Sequence, residues 1–398
     1  MVRFEIVRPG PRSTLFGSIL VLAFLVNFGR VAFAPLVDYF IGAGVSPALA
    51  GLAATAVWLG SAIPRLPVGY LLTIFRRYQV LTGVSISLAL SAMITAFSPG
   101  IWLTVVGAFA IGLAAGGYFV SANPLISELY PKNVGLALGL RGMSTQIASV
   151  IAPSAIAASI YLGSWRLAFI GMSVLAILIT LTLPISAKKA NIPDFGRDDK
   201  TLLGAIKAQQ TLILSALAFV GIAGFIWQGV FNFYITYLGV EKSIGSDIAT
   251  VLLTAMFAAG IPAWVLSGKL ADRFSFIFLM LTTLAGFAVC VLLLTFVEGI
   301  VMIALVSFAL SFLVYSLFPI SDAYLLATLP DEHRASAYAG FSAVMMIMHA
   351  PGSFIVGILV GTGVPFNAIF HLLGVISIGL VLVLAFLASR EKIPRGVN

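Results

Sequence analysis

Cysteine is nearly absent from this sequence. Its single representative, Cys290, stands inside an apolar run, so neither a disulfide framework nor a cysteine metal site can be assembled. Histidine is almost as scarce. His333, His349 and His371 are scattered along the chain and give no metal centre. No G-x-x-x-x-G-K-[ST] loop occurs, which excludes self-energising by ATP of that type. No histidine cluster or nucleophile–base set is visible, so an enzyme is not expected and no cofactor is implied. The largest deficit is charge. Only 9% of the residues are Asp, Glu, Lys or Arg, against about 25% in an ordinary soluble domain.

What fills the space is apolar. Hydrophobic residues make up 61% of the 398, and a soluble fold of this size would still need a wettable exterior. A bilayer removes that requirement. A helix needs about 20 mostly apolar residues to cross the hydrocarbon layer. Twelve such runs follow one another, at about 15–40, 47–72, 79–97, 101–126, 134–162, 166–186, 210–238, 246–271, 275–297, 299–328, 335–361 and 365–389. The expected fold class is an all-α membrane protein of twelve transmembrane helices. The basic stretch MVRFEIVRPGPR precedes a run too long for a signal h-region of about 7–15 residues, so that run is expected to be kept as span 1.

A net charge of +8 invites a nucleic-acid reading, but the cations sit in short loops between apolar runs. That is the pattern of membrane topology, and no nucleic-acid partner is expected. Of the 22 Lys and Arg residues, Arg166 and Lys242 fall on one side, Arg30 and Arg65 fall inside spans, and all the others fall on the opposite side. Both termini are therefore expected in the cytoplasm of a multi-pass cell-membrane protein.

The one long polar connection, AKKANIPDFGRDDKTLLGAIKAQQ, divides the chain into a six-helix bundle at 1–186, a cytoplasmic linker at 187–209 and a second bundle at 210–398. The halves read as repeats. Gly69 and Gly268, Pro131 and Pro330, and Asn123 and Asp322 are each 199 residues apart, and the chain is twice that length. Six-plus-six duplication is a transporter plan.

Three stretches resemble the major facilitator superfamily. Gly268-Lys-Leu-Ala-Asp272-Arg273-Phe is similar to its G-x-L-a-D-R-x-G-R loop, with Ser275 replacing the second Gly. The copy in the first half, around Gly69, Arg76 and Arg77, has Thr73 where the family has Asp. Ser164-Trp165-Arg166-Leu-Ala-Phe169 is similar to the family's W-R-x-x-F start of span 6. The resemblance implies two pseudo-symmetric six-helix bundles in the major facilitator fold, a monomer, alternating access, and a cytoplasmic gate at Gly268, Asp272, Arg273, Arg76 and Arg77. Glu128 and Arg141, flanking the loop between spans 4 and 5, are read as further gate charges. Pro64-Arg65-Leu-Pro67-Val-Gly69 also resembles span 2 of the nitrate/nitrite porter branch, where the equivalent arginine binds the anion. That branch has a second substrate arginine in span 8, whereas span 8 here has none, and Trp264 is the residue 199 positions after Arg65.

Arg65 lies about 16 Å of helix from Arg76 at 1.5 Å per residue. A mid-span arginine costs at least about 2.5–3.5 kcal/mol, so it must face protein, water or a ligand. Trp58, Ser61, Ala62, Arg65 and Gly69 fall at helical spacing on one face, and a guanidinium fork on such a stripe suits an anion. The alternative is a structural ion pair. Arg30 lies mid-span with Asn27 one turn earlier. Its alternative is a pairing with Asp38, eased by a kink before Pro35.

Trp227, Gln228 and Asn232 on span 7, Tyr118 on span 4 and Tyr315 on span 10 are read as cavity residues. Asp322 is read as a proton-coupling carboxylate, a counter-ion for Arg30 or Arg65, or a partner of Arg273. His349 on span 11 is either a titrating group or a packed one. With two buried arginines against few membrane acids, the expected function is secondary active transport of a small inorganic or organic anion through the lipid bilayer. The rival is a proton-coupled exporter of drugs or metabolites, with the arginines as internal counter-ions.

Overall fold

The computed structural model describes residues 10–131, 134–190, 209–271, 273–330 and 334–394. Among them twelve helices are long and apolar enough to cross a membrane, and no strand occurs. The spans are Pro11–Gly42, Pro47–Leu72, Arg77–Ala96, Ile101–Leu129, Leu136–Tyr161, Arg166–Lys189, Gln210–Lys242, Ser246–Ala271, Phe276–Phe296, Ile300–Thr328, Gly340–Gly361 and Phe366–Ser389, numbered 1 to 12 below. Their outer surfaces carry Leu90, Trp102, Leu181, Phe296 and Leu382, all exposed. An apolar skin of this kind fits lipid and not water.

Four spans are interrupted, and each break has a proline beside it. Span 1 stops at Val31 and resumes at Phe33, ahead of Pro35. Span 2 stops at Ala62 and resumes at Arg65, around Pro64 and Pro67. Spans 8 and 11 are broken at Ala259 and at Ala350-Pro351, the former three residues before Pro262. Proline lacks the N–H that would bond four residues back, and its ring crowds that carbonyl, so the turn before it opens. The prolines inside spans 4, 5, 6 and 10 leave their helices continuous.

The chain clusters into two compact units. The first comprises Met1–Phe33 and Ala56–Asp198. Here span 3 packs on spans 4 and 6, and span 1 packs on spans 4, 5 and 6. Spans 2 and 4 touch backbone to backbone. A Cβ on Gly60 would strike the Phe109 carbonyl, one on Gly112 the Val57 carbonyl, and one on Gly116 the Ser61 carbonyl. Small residues substitute for the hydrophobic drive that helices lack inside lipid. The Trp-Arg-Phe start of span 6 works as a staple. Arg166 Nη2 donates to the Ser98 carbonyl at 2.8 Å, its guanidinium covers Trp165 at 4.7 Å, and Trp165 meets Phe169 edge-on.

The second unit comprises Ala34–Thr55 and Asp199–Asn398. Span 9 packs on spans 10 and 12, and span 7 on spans 10 and 11. The tip formed by the end of span 1 and the start of span 2 is held here. Thr236 donates to Asp38 at 3.0 Å, the Phe354 N–H donates to Thr55 Oγ1 at 3.0 Å, and Gly51 lies against the Ser353 carbonyl. Ser275, the residue standing for a glycine in the loop after span 8, caps span 9 by accepting from the Phe278 N–H at 3.3 Å.

The close crossing of spans 2 and 4 predicts a contrast. Gly112→Val should overpack the crossing and cost about 1–3 kcal/mol, lowering the thermal midpoint of the detergent-purified protein. Gly139→Val, where a Cβ meets nothing within 4 Å, should stay within about 0.5 kcal/mol. Equal shifts would contradict the packing.

Candidate functional site

In the first unit the chemistry gathers around Phe119 of span 4. Arg30 sits in the last turn before the break in span 1, where a helix C-terminus favours a cation. It is only 6% exposed. Its guanidinium lies 3.9 Å from the Trp58 ring centroid and 5.2 Å from that of Phe119. Arg141 of span 5 reaches the same ring, at 5.3 Å. Its Nε and Nη1 atoms are buried without a hydrogen-bond partner among the described residues.

The charge balance here is one-sided. The only carboxylate among the described residues of this unit is Glu128, which is hydrogen-bonded to Arg77. A cation–π contact contributes about 0.5–2 kcal/mol, whereas a mid-span arginine costs about 2.5–3.5 kcal/mol or more. Two unit charges within about 10 Å add at least about 1–2 kcal/mol of repulsion at an effective dielectric of about 20.

Other expected site residues have hydrogen-bond partners on the helices. Asn27 is buried and donates to the Thr145 carbonyl at 2.7 Å and to Ser149 Oγ at 2.8 Å, tying span 1 to span 5. Tyr118 is fully buried and donates to the Ile19 carbonyl at 3.1 Å. Arg65 is half-buried at the start of the second helix of span 2, and its Nε donates to the Ser61 carbonyl at 3.2 Å. The expected stripe is divided, because Ser61 turns to the Gly112 carbonyl of span 4 while Trp58 meets Arg30. Both lie before the break at 63–64, which separates them from Arg65.

In the second unit Gln228 and Asn232 are buried, and the Asn232 Oδ1 has no hydrogen-bond partner among the described residues. Asn232 Nδ2 donates to the Gln228 carbonyl, to Gln228 Oε1 and, at 2.8 Å, to Ser353 Oγ, just beyond the break in span 11. Trp227 and Tyr315 stand with ring centroids 5.4 Å apart, and Phe231 and Phe257 complete an aromatic wall. His349 is buried, with Nε2 3.0 Å from the Val220 carbonyl and its ring against Gly224. Asp322 is half-buried on span 10.

Of the gate residues, Arg77 and Glu128 are brought together. Arg76 is exposed at the start of span 3, where its backbone N–H donates to Gln79. Gly268 and Arg273 are exposed, and Asp272 lies outside the described residues. Sequence reasoning missed Phe119 and assigned Arg141 by its nearness to a loop. The usable signal was that Arg141 falls about two turns inside the Val134–Tyr161 helix, as a third arginine within an apolar run.

The family model of the Major Facilitator Superfamily matches residues 19–261 and 217–398. A bacterial homologue of the human lysosomal transporter Spinster, solved inward-facing and occupied, superposes with a TM-score of 0.78 at 16% identity over 97% of this chain and 99% of that one. A POT family transporter in complex with a thioalcohol-conjugated peptide gives 0.76 at 11% identity, over 94% and 96%. The nucleoside transporter NupG gives 0.74 at 15%, over 96% and 100%. At such identities the likeness is one of fold. No curated protein matches the chain.

The framing role of Asn27 is separable from ligand contact. Asn27→Leu should cost about 0.6–1.7 kcal/mol, the range of interhelical hydrogen bonds in membranes, seen as a lower thermal midpoint. Anion affinity measured on the folded fraction should stay unchanged. An affinity loss without destabilisation would move Asn27 into the site.

Proposed function

Since the chain belongs to the Major Facilitator Superfamily, we propose that it is a secondary active transporter of a small inorganic or organic anion, working by alternating access. The observation that carries the reading is the Arg30 guanidinium, buried over Trp58 and Phe119 with Arg141 at the same ring, in a unit whose one described carboxylate is hydrogen-bonded to Arg77. Buried cations gathered at one ring raise the local potential and attract an anion. Arg65, one helix segment further along span 2, is the proposed second contact. Arg77 and Glu128 are the proposed cytoplasmic latch, and the one-sided Lys and Arg distribution supports cytoplasmic termini in a cell-membrane protein.

The aromatic wall of Trp227, Phe231, Phe257 and Tyr315 favours one rival, an exporter of amphipathic cations. A thermal-shift screen of the purified protein separates the two. Ligands are nitrate, nitrite, small carboxylates, sugars and amphipathic cations. A ligand at a hundred times its Kd stabilises by about 2.7 kcal/mol. Saturable stabilisation by one anion class is expected, lost in Arg30→Gln, weakened in Arg65→Gln and partly kept in Arg30→Lys. Stabilisation by amphipathic cations alone, unchanged in these variants, would reject the anion site.

A further inference from the structure

Whatever substrate is carried, we propose that a groove between spans 2, 3 and 4 of the first unit binds an anionic phospholipid of the bilayer. An acyl chain lies in the groove and the phosphate lies at Arg76 and Arg77. The groove holds about 520 Å³ and is lined by Val68 and Leu71 of span 2, Val80 and Val84 of span 3, and Leu113 and Ala114 of span 4. Ligand pockets span about 300–1,000 Å³. The groove opens on the apolar skin. Gly83, which also lines it, is exposed and starts a stripe on span 3 that continues through the exposed Ile86 and Leu90. A Cβ on Gly83 would meet nothing within 4 Å, so the protein leaves this space to its surroundings. An empty apolar groove forfeits dispersion contacts, and a bilayer supplies acyl chains to make them.

Depth and charge select the ligand. Phe75 and Gln79 line one end and Ser87 the other. From Gln79 to Ser87 the helix rises about 12 Å at about 1.5 Å per residue, close to the roughly 15 Å that is half of a 30 Å hydrocarbon core. The groove is therefore one leaflet deep. Its end at Phe75 and Gln79 is basic. Arg76 and Arg77 stand between these two residues, Arg76 is exposed, and its backbone N–H donates to Gln79 Oε1. No Asp or Glu occurs from Tyr39 to Ser127. Glu128, which accepts from Arg77, is the one described carboxylate of this unit. Two guanidiniums against one carboxylate leave this end positive, whatever partners they hold. Span 3 starts at Arg77, so the positive end of its helix adds to them. Basic pockets between membrane helices take anionic head groups, and the arginine fork matches a phosphate. A zwitterionic head group would bring a second cation with no second carboxylate to meet it.

The test is native mass spectrometry of the full-length purified protein, with phosphatidylglycerol or phosphatidylcholine of the same acyl chains added in detergent. The first phosphatidylglycerol should bind the wild type about tenfold or more tighter than the first phosphatidylcholine. Gly83→Leu puts a side chain into the groove and should weaken that phosphatidylglycerol about tenfold or more. Gly139→Leu, equally open but on span 5, should keep the wild-type affinity. Both leucines favour the helix over glycine, so both variants should fold. Arg76→Gln should bring phosphatidylglycerol to within about twofold of phosphatidylcholine, with phosphatidylcholine affinity retained. Arg76→Lys, which keeps the charge, should keep part of the preference. Equal affinity for the two lipids in the wild type would overturn the proposal. So would a phosphatidylglycerol preference that survives in Gly83→Leu or in Arg76→Gln.

Discussion

The arrangement depends on a guanidinium held inside the membrane span. Arg30 is 6% exposed near the middle of a 32-residue span, and hydrocarbon offers it nothing. Around it the protein places the end of a helix and the faces of Trp58 and Phe119. Each of these attracts a cation by a fraction of the cost of burying one. Arg30 and Arg141 at one ring raise the local potential, and that is the physical basis of the anion reading.

The helix breaks position this chemistry. Arg30 stands at the break of span 1, Arg65 begins the second part of span 2, and Ser353 and His349 flank the break of span 11. Proline opens each of these turns and frees carbonyls or redirects side chains without needing an irregular loop in lipid. Around them the frame is rigid. Glycines bring spans 2 and 4 into backbone contact, and Asn27, Tyr118 and the amide nitrogen of Asn232 bond to neighbouring helices. The polar residues of the spans thus divide into fasteners and a small set of aromatic-backed cations.

The twelve spans were legible because run length and hydropathy are all a bilayer demands, and the Trp165-Arg166-Phe169 staple was legible because its spacing is local. The site was only partly so. Helical spacing placed Trp58, Ser61 and Arg65 on one stripe, but Ser61 turns to span 4 and the proline break at 63–64 separates Arg65 from the other two. Tyr118 and Asn27 read as cavity residues because polar groups in spans are rare, yet their partners are carbonyls and a hydroxyl on neighbouring helices, a long-range fact that no periodicity encodes. Arg141 was judged by its loop. Its meeting with Phe119 depends on how spans 4 and 5 pack, which spacing along either helix leaves open.

The account's central claim is that an anion is carried at the Arg30 site. Counterflow measures it most directly, with the protein in liposomes preloaded with an unlabelled candidate anion and the labelled anion outside. The account predicts transient accumulation of label with the wild type, abolished in Arg30→Gln at equal reconstitution. No accumulation of any nitrate, nitrite or carboxylate label, together with counterflow of an amphipathic cation that Arg30→Gln leaves intact, would contradict it.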